Sequence, residues 1–257
     1  MCTITAVPKA RLTTPTWAAD PLLLRLVCNR DELRTRAAAF PPVLQTVEDR
    51  RVIMPLDPES GGTWLAVNDN GLVFALLNAN PMGGRSAAGT SRGGLIPSLA
   101  GAASISAALG RVLDADVAHY RPFRLLMLDA SQLVECWVED GRLRHRRAYL
   151  QGSMMRTSSS LGDALVEGPR RTLFRRFFRG TSHAAAAQDA FHDHQWPGRE
   201  DISVRMARAD ASTVSRTTIE VSAAFATMIY RTTGQDVGTR VVLPLAGATS
   251  TSVRRCS

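Results

Sequence analysis

The sequence contains little lysine, no closely paired cysteines and no long apolar run. Lys9 is the only lysine among 31 basic residues, so arginine carries almost all of the positive charge in the 257-residue chain, whose net charge is +8. The four cysteines show no Cys-x-x-Cys spacing, so neither the common zinc motif nor the dithiol redox motif is present, and no metal site is expected. Cys28 and Cys136 lie in apolar, strand-like segments, which predicts that both are small core residues. No apolar run is long enough to span a bilayer, and the first 14 residues lack the apolar segment of a secretory signal. We therefore expect a cytoplasmic protein without a membrane span.

The positive charge could attract nucleic acid, but its arrangement favours a plainer interpretation. Three phenylalanines would occupy the face opposite the densest arginine cluster, as in an amphipathic helix whose basic face is solvated. No helix-turn-helix, ribonucleoprotein or zinc-finger signature accompanies the cluster, so we expect no nucleic-acid partner. The arginines of the cluster are Arg170, Arg171, Arg175, Arg176 and Arg179.

Cys2 directly follows the initiator methionine, and this dipeptide offers the most direct route to chemistry in the chain. Removal of Met1 would leave a thiol nucleophile beside a free α-amine, whose pKa of roughly 8 suits it to act as the general base. The β-branched, alternating segment 3–7 predicts a strand that carries Cys2 at its tip. Cysteine also follows methionine by chance, so a residue without a catalytic role is the alternative.

The order of strand and helix signals predicts an α+β fold. Short strands are expected at 22–28, 63–67 and 72–77, and Asn68-Asp69-Asn70-Gly71 is a strong hairpin signal between the last two. Helices are expected in two pairs, with no strand–helix–strand alternation, which indicates antiparallel sheets with segregated helices. We expect one domain over residues 1–246 and a loose tail over 247–257.

Three later segments receive specific predictions. Residues 43–56 are expected to be irregular or weakly extended, and 202–208 to form a strand. A helix is expected to start at Pro169, because proline is tolerated in the first helical turn.

Four consecutive polar residues, Asn29, Arg30, Asp31 and Glu32, follow the apolar strand at 22–28. This strand is the expected neighbour of the strand that carries Cys2, so the quartet should approach the thiol. Polar residues at strand ends commonly build sites. A structural cluster of ion pairs at the strand end is the alternative.

These blocks together resemble the transport and Golgi organisation family, which is also named NRDE after the four residues at 29–32. The resemblance is carried by Met-Cys-Thr-Ile-Thr at the start, by Leu-Val-Cys before the quartet, by Gly61-Gly62-Thr63-Trp64-Leu65 and by Ala-Leu-Leu-Asn ending at Asn78. It covers residue 1 to about Gly94, and more weakly 161–169 and 215–219. It implies an N-terminal nucleophile (Ntn) hydrolase-like fold, a four-layer αββα sandwich of two antiparallel sheets flanked by helices.

The resemblance also implies a reaction and its residues, namely those of a cysteine amidohydrolase or acyltransferase. The fold is similar to that of cholylglycine hydrolases and penicillin acylases, which use an N-terminal cysteine to cleave C–N amide bonds. Cys2 would then be the nucleophile, Arg30 would stabilise the thiolate or bind a carboxylate, and Asp31 or Glu32 would orient the amine. Asn78 would donate to the oxyanion, or alternatively cap the turn before Pro81.

Three further residues are implied as substrate contacts, namely Asn29, Asp163 and Arg216. Asp163 departs from the family pattern, because relatives carry asparagine at this place in Leu-Gly-Asp-Ala-Leu. An amide would donate a hydrogen bond to an oxyanion, whereas a carboxylate accepts hydrogen bonds and would repel the oxyanion.

The resemblance implies a second function as well, because members of the family have been linked to haem trafficking and lipid homeostasis. The chain would then be a non-catalytic carrier of haem or another amphipathic metabolite, whereas the hydrolase needs no cofactor and takes a small-molecule amide. His183, His192 and His194 are candidate axial ligands. The spacing of His192 and His194 does not place both on one helix face, so a solvated helix end is the alternative.

Overall fold

Thirteen strands and four α-helices form the part of the chain that this computed structural model describes, which is residues 2–12, 20–80, 89–139 and 141–247. The strands are β1 (Cys2–Pro8), β2 (Leu22–Leu33), β3 (Phe40–Val47), β4 (Arg50–Leu56), β5 (Leu65–Asn68), β6 (Val73–Asn78), β7 (Phe123–Leu128), β8 (Gln132–Glu139), β9 (Arg142–Tyr149), β10 (Met154–Thr157), β11 (Ala211–Ser222), β12 (Phe225–Thr232) and β13 (Thr239–Pro244). The α-helices are α1 (Leu95–Leu99), α2 (Ile105–Asp114), α3 (Asp163–Phe178) and α4 (Ala184–Asp193). Short 3-10 helices occur at Lys9–Arg11, Arg92–Gly94 and Val117–His119.

The strands form two antiparallel sheets. The first sheet has the order β10-β1-β2-β11-β12-β13, and the second runs from β3 to β9 in chain order. The predicted neighbours β1 and β2 do pair, and their register places Cys2 opposite Arg30. The predicted hairpin between β5 and β6 is also confirmed, with Gly71 at a φ of +73° that favours glycine in the turn.

Three apolar layers hold the sheets and helices together. Inward-facing residues of both sheets, such as Ile4 and Leu65, form the central core. Helices α1 and α2 cover the outer face of the second sheet, while α3 and α4 cover the outer face of the first. The expected four-layer αββα sandwich is therefore confirmed.

The alternation of side chains along β1 and β2 gives the first sheet two chemically different faces. In β1, Cys2 and Ile4 point toward the second sheet, while Thr3 and Thr5 contact residues of the α3–α4 layer. We call these the inner face and the outer face of the first sheet.

Two predictions about strands were wrong. Segment 43–56 is not irregular but supplies most of β3 and all of β4; the prolines at 41 and 42 are accommodated by a register shift in β3, an edge strand of its sheet. Segment 202–208 is not a strand, apart from one isolated bridge at Ala207. The carbonyls of Ile202, Ser203 and Val204 accept hydrogen bonds from side chains instead of from a neighbouring strand.

Helix α3 begins six residues before the predicted start at Pro169, which lies inside it. Gly162 turns the chain with a φ of +110°, and the Asp163 carboxylate lies in the first helical turn, where the helix dipole favours negative charge. The predicted basic face of α3 includes the exposed residues Arg171 and Arg175, but Arg170 is buried.

Among the described residues, no helix has the length and apolar character needed to cross a membrane. The predicted loose tail lies almost entirely in residues 248–257, outside the described part of the chain.

Candidate active site

Cys2 lies in the wall of a cavity of about 220 Å³, which we call the Cys2 cavity. The residue is at the start of β1, and only 4% of its surface is exposed. Arg30 and Glu32 of β2 and Asn78 of β6 line the same cavity. The structure thus brings together four of the five residues that the resemblance assigns to catalysis.

Cys28 lies opposite Ile4 in the β1–β2 register, so it shares the inner face of the sheet with Cys2. Hydrogen bonding with the Cys28 thiol lowers the pKa of Cys2, burial and Asp31 oppose this effect, and the positive charges of the amino terminus and Arg30 lower the pKa further. The pKa of Cys28 is raised well above its usual value, first by burial and then because its proton is shared with Cys2. Cys28 was expected to be only a small core residue, yet it favours the nucleophilic thiolate form of Cys2.

Ser158 holds the backbone of Cys2 from the opposite side. The Cys2 nitrogen donates to Ser158 Oγ at 3.2 Å, and the Ser158 nitrogen donates to the Cys2 carbonyl at 2.9 Å. If Met1 is removed, this nitrogen becomes the α-amine, so Ser158 would orient the general base. The sequence offered no motif for Ser158, which is 156 positions away from Cys2 and is brought there by the pairing of β10 with β1.

The polar quartet lies within β2 rather than after it, and the alternation of the strand divides it between the two faces. Asn29 is on the outer face, where its amide nitrogen donates to the carbonyls of His192 and Val204. Asp31 is also on the outer face and accepts from Thr213 Oγ1 at 2.6 Å. Burial raises the pKa of Asp31, against the opposing effects of Arg170 and Thr213.

Arg30 belongs to an ion-pair cluster at the edge of the Cys2 cavity. Its guanidinium contacts Asp57 at 2.7 Å and Glu32 at 3.3 Å, and lies 4.4 Å from the centre of the Trp64 ring. Arg36 also binds Asp57, at 3.0 Å. Burial alone would raise the pKa of Asp57, but hydrogen bonds from Arg36 and the Ser60 backbone hold it below its ordinary value. The quartet thus contributes both to an ion-pair cluster and to the cavity wall.

Two residues that carry side-chain N–H groups line the cavity together with Cys2. Asn78 is the last residue of β6 and lines the cavity with Cys2. Trp64 also lines it, and its indole nitrogen is buried without a hydrogen-bond partner among the described residues. Side-chain N–H groups of this kind can stabilise an oxyanion.

Asp163 ties together two segments that flank Cys2 and Asn78. Its carboxylate accepts from the Asn80 nitrogen at 3.0 Å and the Ser159 nitrogen at 2.8 Å. Burial raises the pKa of Asp163, and these hydrogen bonds oppose the rise. Asp163 therefore connects the end of β6 to the segment after β10 and is not part of the Cys2 cavity lining.

Arg216 and Asn29 lie on the outer face, opposite each other in β11 and β2. Together with His192 they line a separate cavity of about 140 Å³, and Arg216 pairs with Asp193 at 2.8 Å. None of the three predicted substrate contacts, Asn29, Asp163 and Arg216, lines the Cys2 cavity. Asn29 is absent from this lining because side chains alternate along β2, which turns Asn29 to the outer face. Similarity of residues to a family does not show on which face of a strand a side chain lies.

The three histidines named as candidate haem ligands lie in different environments, and His183 is exposed. His192 is 1% exposed, its Nε2 lies 2.8 Å from Thr5 Oγ1, and burial shifts its pKa well below the ordinary value. His194 packs edge-on against Phe177 and Trp196. Within the described ranges, no group of three or more His, Cys, Asp or Glu residues could hold a metal ion.

Two stacked antiparallel sheets between helical layers, with a cysteine at the start of a central strand, define an Ntn-hydrolase-like protein. The fold is similar to two structures of conjugated bile acid hydrolase from Clostridium perfringens. One is an arginine-to-leucine variant (9% identity, TM-score 0.53, 100% of both chains covered), and the other is a cysteine-to-alanine variant (10% identity, TM-score 0.50, 96% of this chain and 97% of that chain). The Caenorhabditis elegans ortholog of N-acylethanolamine-hydrolyzing acid amidase is also similar (12% identity, TM-score 0.51, 85% of this chain and 92% of that chain).

The chain belongs to the Transport and Golgi organisation 2 family, whose model matches residues 12–223. The resemblance seen in the sequence is thereby confirmed. No match was found among curated proteins.

Proposed function

We propose that this chain is a cysteine amidohydrolase that cleaves a C–N amide bond of a small molecule through Cys2. The observation that carries the proposal is the environment of Cys2. Its thiol has a lowered pKa, its nitrogen is held by Ser158, and it faces a cavity that is also lined by side-chain N–H donors. The proposal is also supported by the similar solved structures, which are a conjugated bile acid hydrolase and an ortholog of N-acylethanolamine-hydrolyzing acid amidase.

The proposed reaction begins with removal of Met1, which frees the α-amine of Cys2. The thiol loses its proton to this amine, and the sulfur attacks the amide carbonyl to form a C–S bond. The amine then returns the proton to the leaving nitrogen as the C–N bond breaks. Water hydrolyses the resulting thioester, which yields a carboxylic acid and restores the thiol.

Charge on the carbonyl oxygen would be stabilised within the Cys2 cavity. The side-chain amide of Asn78 is the candidate donor, because Asn78 lines the cavity with Cys2. Asp163 is committed to backbone nitrogens of its neighbours, so its carboxylate need not face the oxyanion. The departure from the family pattern at this position is therefore compatible with amide cleavage.

The test combines mass spectrometry of the intact protein with hydrolysis of a panel of N-acyl amides. We expect loss of Met1 and release of free acid, and we expect Cys2→Ala to lower turnover by at least about a thousandfold. Cys136→Ala is the matched control, because Cys136 is also a buried cysteine but lies in the core beneath α1 and α2. Retained Met1, or equal turnover by the Cys2→Ala variant, would contradict the proposal.

A carrier of an amphipathic ligand is the second candidate, favoured by a larger cavity of about 480 Å³. This cavity shares Arg30, Glu32 and Arg36 with the Cys2 cavity and has a volume typical of small-molecule sites. A Soret band during haem titration of the wild type and of Cys2→Ala would support a carrier without catalysis. Its absence, together with turnover, would support the hydrolase.

A further inference from the structure

Two arginines in the Cys2 cavity are not neutralised by the described part of the protein. Arg92 is half-buried and donates from Nη1 to the Pro122 carbonyl at 2.8 Å. Arg121 is exposed and donates from Nε to the Gly89 carbonyl at 3.2 Å. Each guanidinium therefore contacts a neutral carbonyl, and neither forms an ion pair within the described residues.

The other two arginines of the cavity have carboxylate partners. Arg30 and Arg36 share Asp57 and also contact Glu32, and Arg36 pairs in addition with Glu59 outside the lining. The lining as a whole contains four arginines and two carboxylates, so two positive charges are in excess. The excess lies at Arg92 and Arg121.

Placing Arg92 there is unfavourable unless an anion binds. Burial, together with repulsion from Arg121, lowers the pKa of Arg92 to about 10. An unpaired charge that is partly removed from water destabilises the folded state, and an oxoanion between two guanidinium groups would relieve this cost.

Close packing of backbone against backbone fixes the segment that carries Arg92. A Cβ added to Gly62 would lie 2.3 Å from the Gly93 carbonyl carbon, so only glycine allows this approach. The Thr63 nitrogen also donates to the Gly93 carbonyl at 3.1 Å. The Gly61-Gly62-Thr63-Trp64 motif therefore supports Arg92 as well as the Trp64 side of the cavity, and such preorganisation favours ligand binding.

We propose that Arg92 and Arg121 form an oxoanion subsite of the Cys2 cavity, and that the amide substrate carries a carboxylate or phosphate group near its scissile bond. This inference rests on the proposed function, because it treats Cys2 as the reacting group. Arginine suits the role because its planar fork binds two oxygens of one oxoanion.

The test compares the rates at which anionic iodoacetate and neutral iodoacetamide alkylate Cys2, measured by peptide mass mapping. The ratio of the two rates removes general effects of a variant on thiol reactivity. We expect Arg92→Gln and Arg121→Gln each to lower the iodoacetate-to-iodoacetamide ratio by about threefold to tenfold. Arg92→Lys, which keeps the charge, should retain most of the ratio.

Arg175→Gln is the matched control, since it removes the same charge from an exposed position on α3, which contributes no residue to the cavity lining. Its ratio should equal that of the wild type. Equal ratios in the wild type, Arg92→Gln and Arg121→Gln would overturn the subsite. Resistance of Cys2 to both reagents would also overturn it, because the cavity would then be closed to small ligands.

Protection experiments distinguish the two oxoanions. Inorganic phosphate and succinate are titrated separately against iodoacetamide alkylation of Cys2. Stronger protection by phosphate identifies a phosphate group, and stronger protection by succinate identifies a carboxylate. Neither ion should protect Cys2 from alkylation in the Arg92→Gln variant. If neither ion protects Cys2 in the wild type, the result counts against the subsite.

This result is separable from the proposed function. Alkylation requires only an accessible thiol, so the charge preference can be measured even if Met1 is retained or no amide is turned over. Conversely, turnover of neutral amides alone, with an alkylation ratio unaffected by Arg92→Gln, would support the hydrolase and contradict the subsite.

Discussion

Arg30 and Arg170 are both buried beside the first sheet, yet they meet opposite environments. Arg30, on the inner face, is paired with the carboxylates of Asp57 and Glu32 and borders the Cys2 cavity. Arg170, near the outer face, donates to the hydroxyls of Thr3 and Thr157 and to the carbonyls at 202 and 203. The guanidinium of Arg170 is satisfied by hydroxyls and carbonyls, which are neutral groups, whereas the cluster around Arg30 assembles charges at the edge of an open cavity.

This difference separates scaffold from site. Burial lowers the pKa of Arg170 against the attraction of Asp31 and Asp163, as expected for a cation held mainly by neutral acceptors. Such a network positions α3 and the segment at 202–203 against β1 and β10. The ion pairs around Arg30, in contrast, lie where a ligand can reach them.

The largest expected effect comes from breaking the outer-face network. Arg170→Met should destabilise the fold by about 3–5 kcal/mol, because two hydroxyls and two carbonyls lose their buried donor. The free energy of unfolding in urea measures this loss. Arg171→Met, at the exposed neighbour, should change it by less than about 0.5 kcal/mol. A small effect of Arg170→Met would show that the outer face is not the rigid scaffold described here.

The next effect concerns the inner face. Gly62→Ala should lower the free energy of unfolding by about 2–4 kcal/mol, because the added Cβ would require the Gly93 backbone to move. Gly94→Ala is the control, since an added Cβ there meets no atom within 4 Å. Urea unfolding measures both variants. If Gly62→Ala is as stable as Gly94→Ala, the segment that carries Arg92 is not fixed by this contact.

Carboxylates on the two faces should respond to pH in opposite directions. Asp57 has a folded-state pKa below its unfolded value, so its contribution to stability is present above about pH 4 and is lost as pH falls toward the folded-state pKa. Asp31 has a folded-state pKa above its unfolded value. Its destabilising contribution to the free energy of unfolding is therefore absent below about pH 4, and it grows as pH rises from there through the folded-state pKa.

Urea unfolding of Asp57→Asn and Asp31→Asn between about pH 3.5 and 7 tests this contrast. The free energy of unfolding of the wild type minus that of Asp57→Asn should increase as pH rises, and the increase should amount to about 1–2 kcal/mol at pH 7. Stability of the wild type relative to Asp31→Asn should decrease with pH. The same direction for both variants would remove the electrostatic distinction between the two faces.

The smallest expected effect is at Asp163. Asp163→Asn should cost about 1 kcal/mol, because an amide has one oxygen where the carboxylate accepts from two backbone nitrogens. Asp116→Asn, at an exposed carboxylate that lies 3.0 Å from His119 Nε2, should be nearly neutral. A stabilising Asp163→Asn would indicate that the negative charge, and not its hydrogen bonds, dominates at this position.

Much of the fold follows from local patterns. Alternation and turn residues were enough to predict the β5–β6 hairpin and the segregation of helices from sheets, because these signals depend on neighbouring residues. The pairing of β1 with β2, and with it the approach of Arg30 to Cys2, followed from chain order. The quartet is divided between the two faces because β2 continues through Leu33, so that its side chains still alternate at 29–32. The strand expected from the sequence ends at residue 28, so this division was not predicted.

The rest of the site depends on contacts between distant parts of the chain. Ser158, Arg92 and Arg121 carry no local motif. Ser158 reaches Cys2 through the pairing of β10 with β1, and Arg92 and Arg121 reach the Cys2 cavity through the three-dimensional fold. Cys28 was assigned correctly to the core, but its contact with the Cys2 thiol depends on the register of β1 against β2. Local sequence patterns do not determine such registers. The excess positive charge at Arg92 and Arg121 and the proximity of the Cys2 and Cys28 thiols can therefore be recognised only in the three-dimensional structure.

The position of β1 between β10 and β2 has a consequence for biosynthesis. The hydrogen bond from Cys2 to Ser158 joins residues 156 positions apart, so the nucleophile is enclosed only after more than half of the chain has left the ribosome. An aminopeptidase needs an exposed, extended substrate, and Cys2 is almost inaccessible once β1 is in place. If Met1 is removed, as the proposed function requires, we therefore expect its removal before β1 is enclosed between β10 and β2.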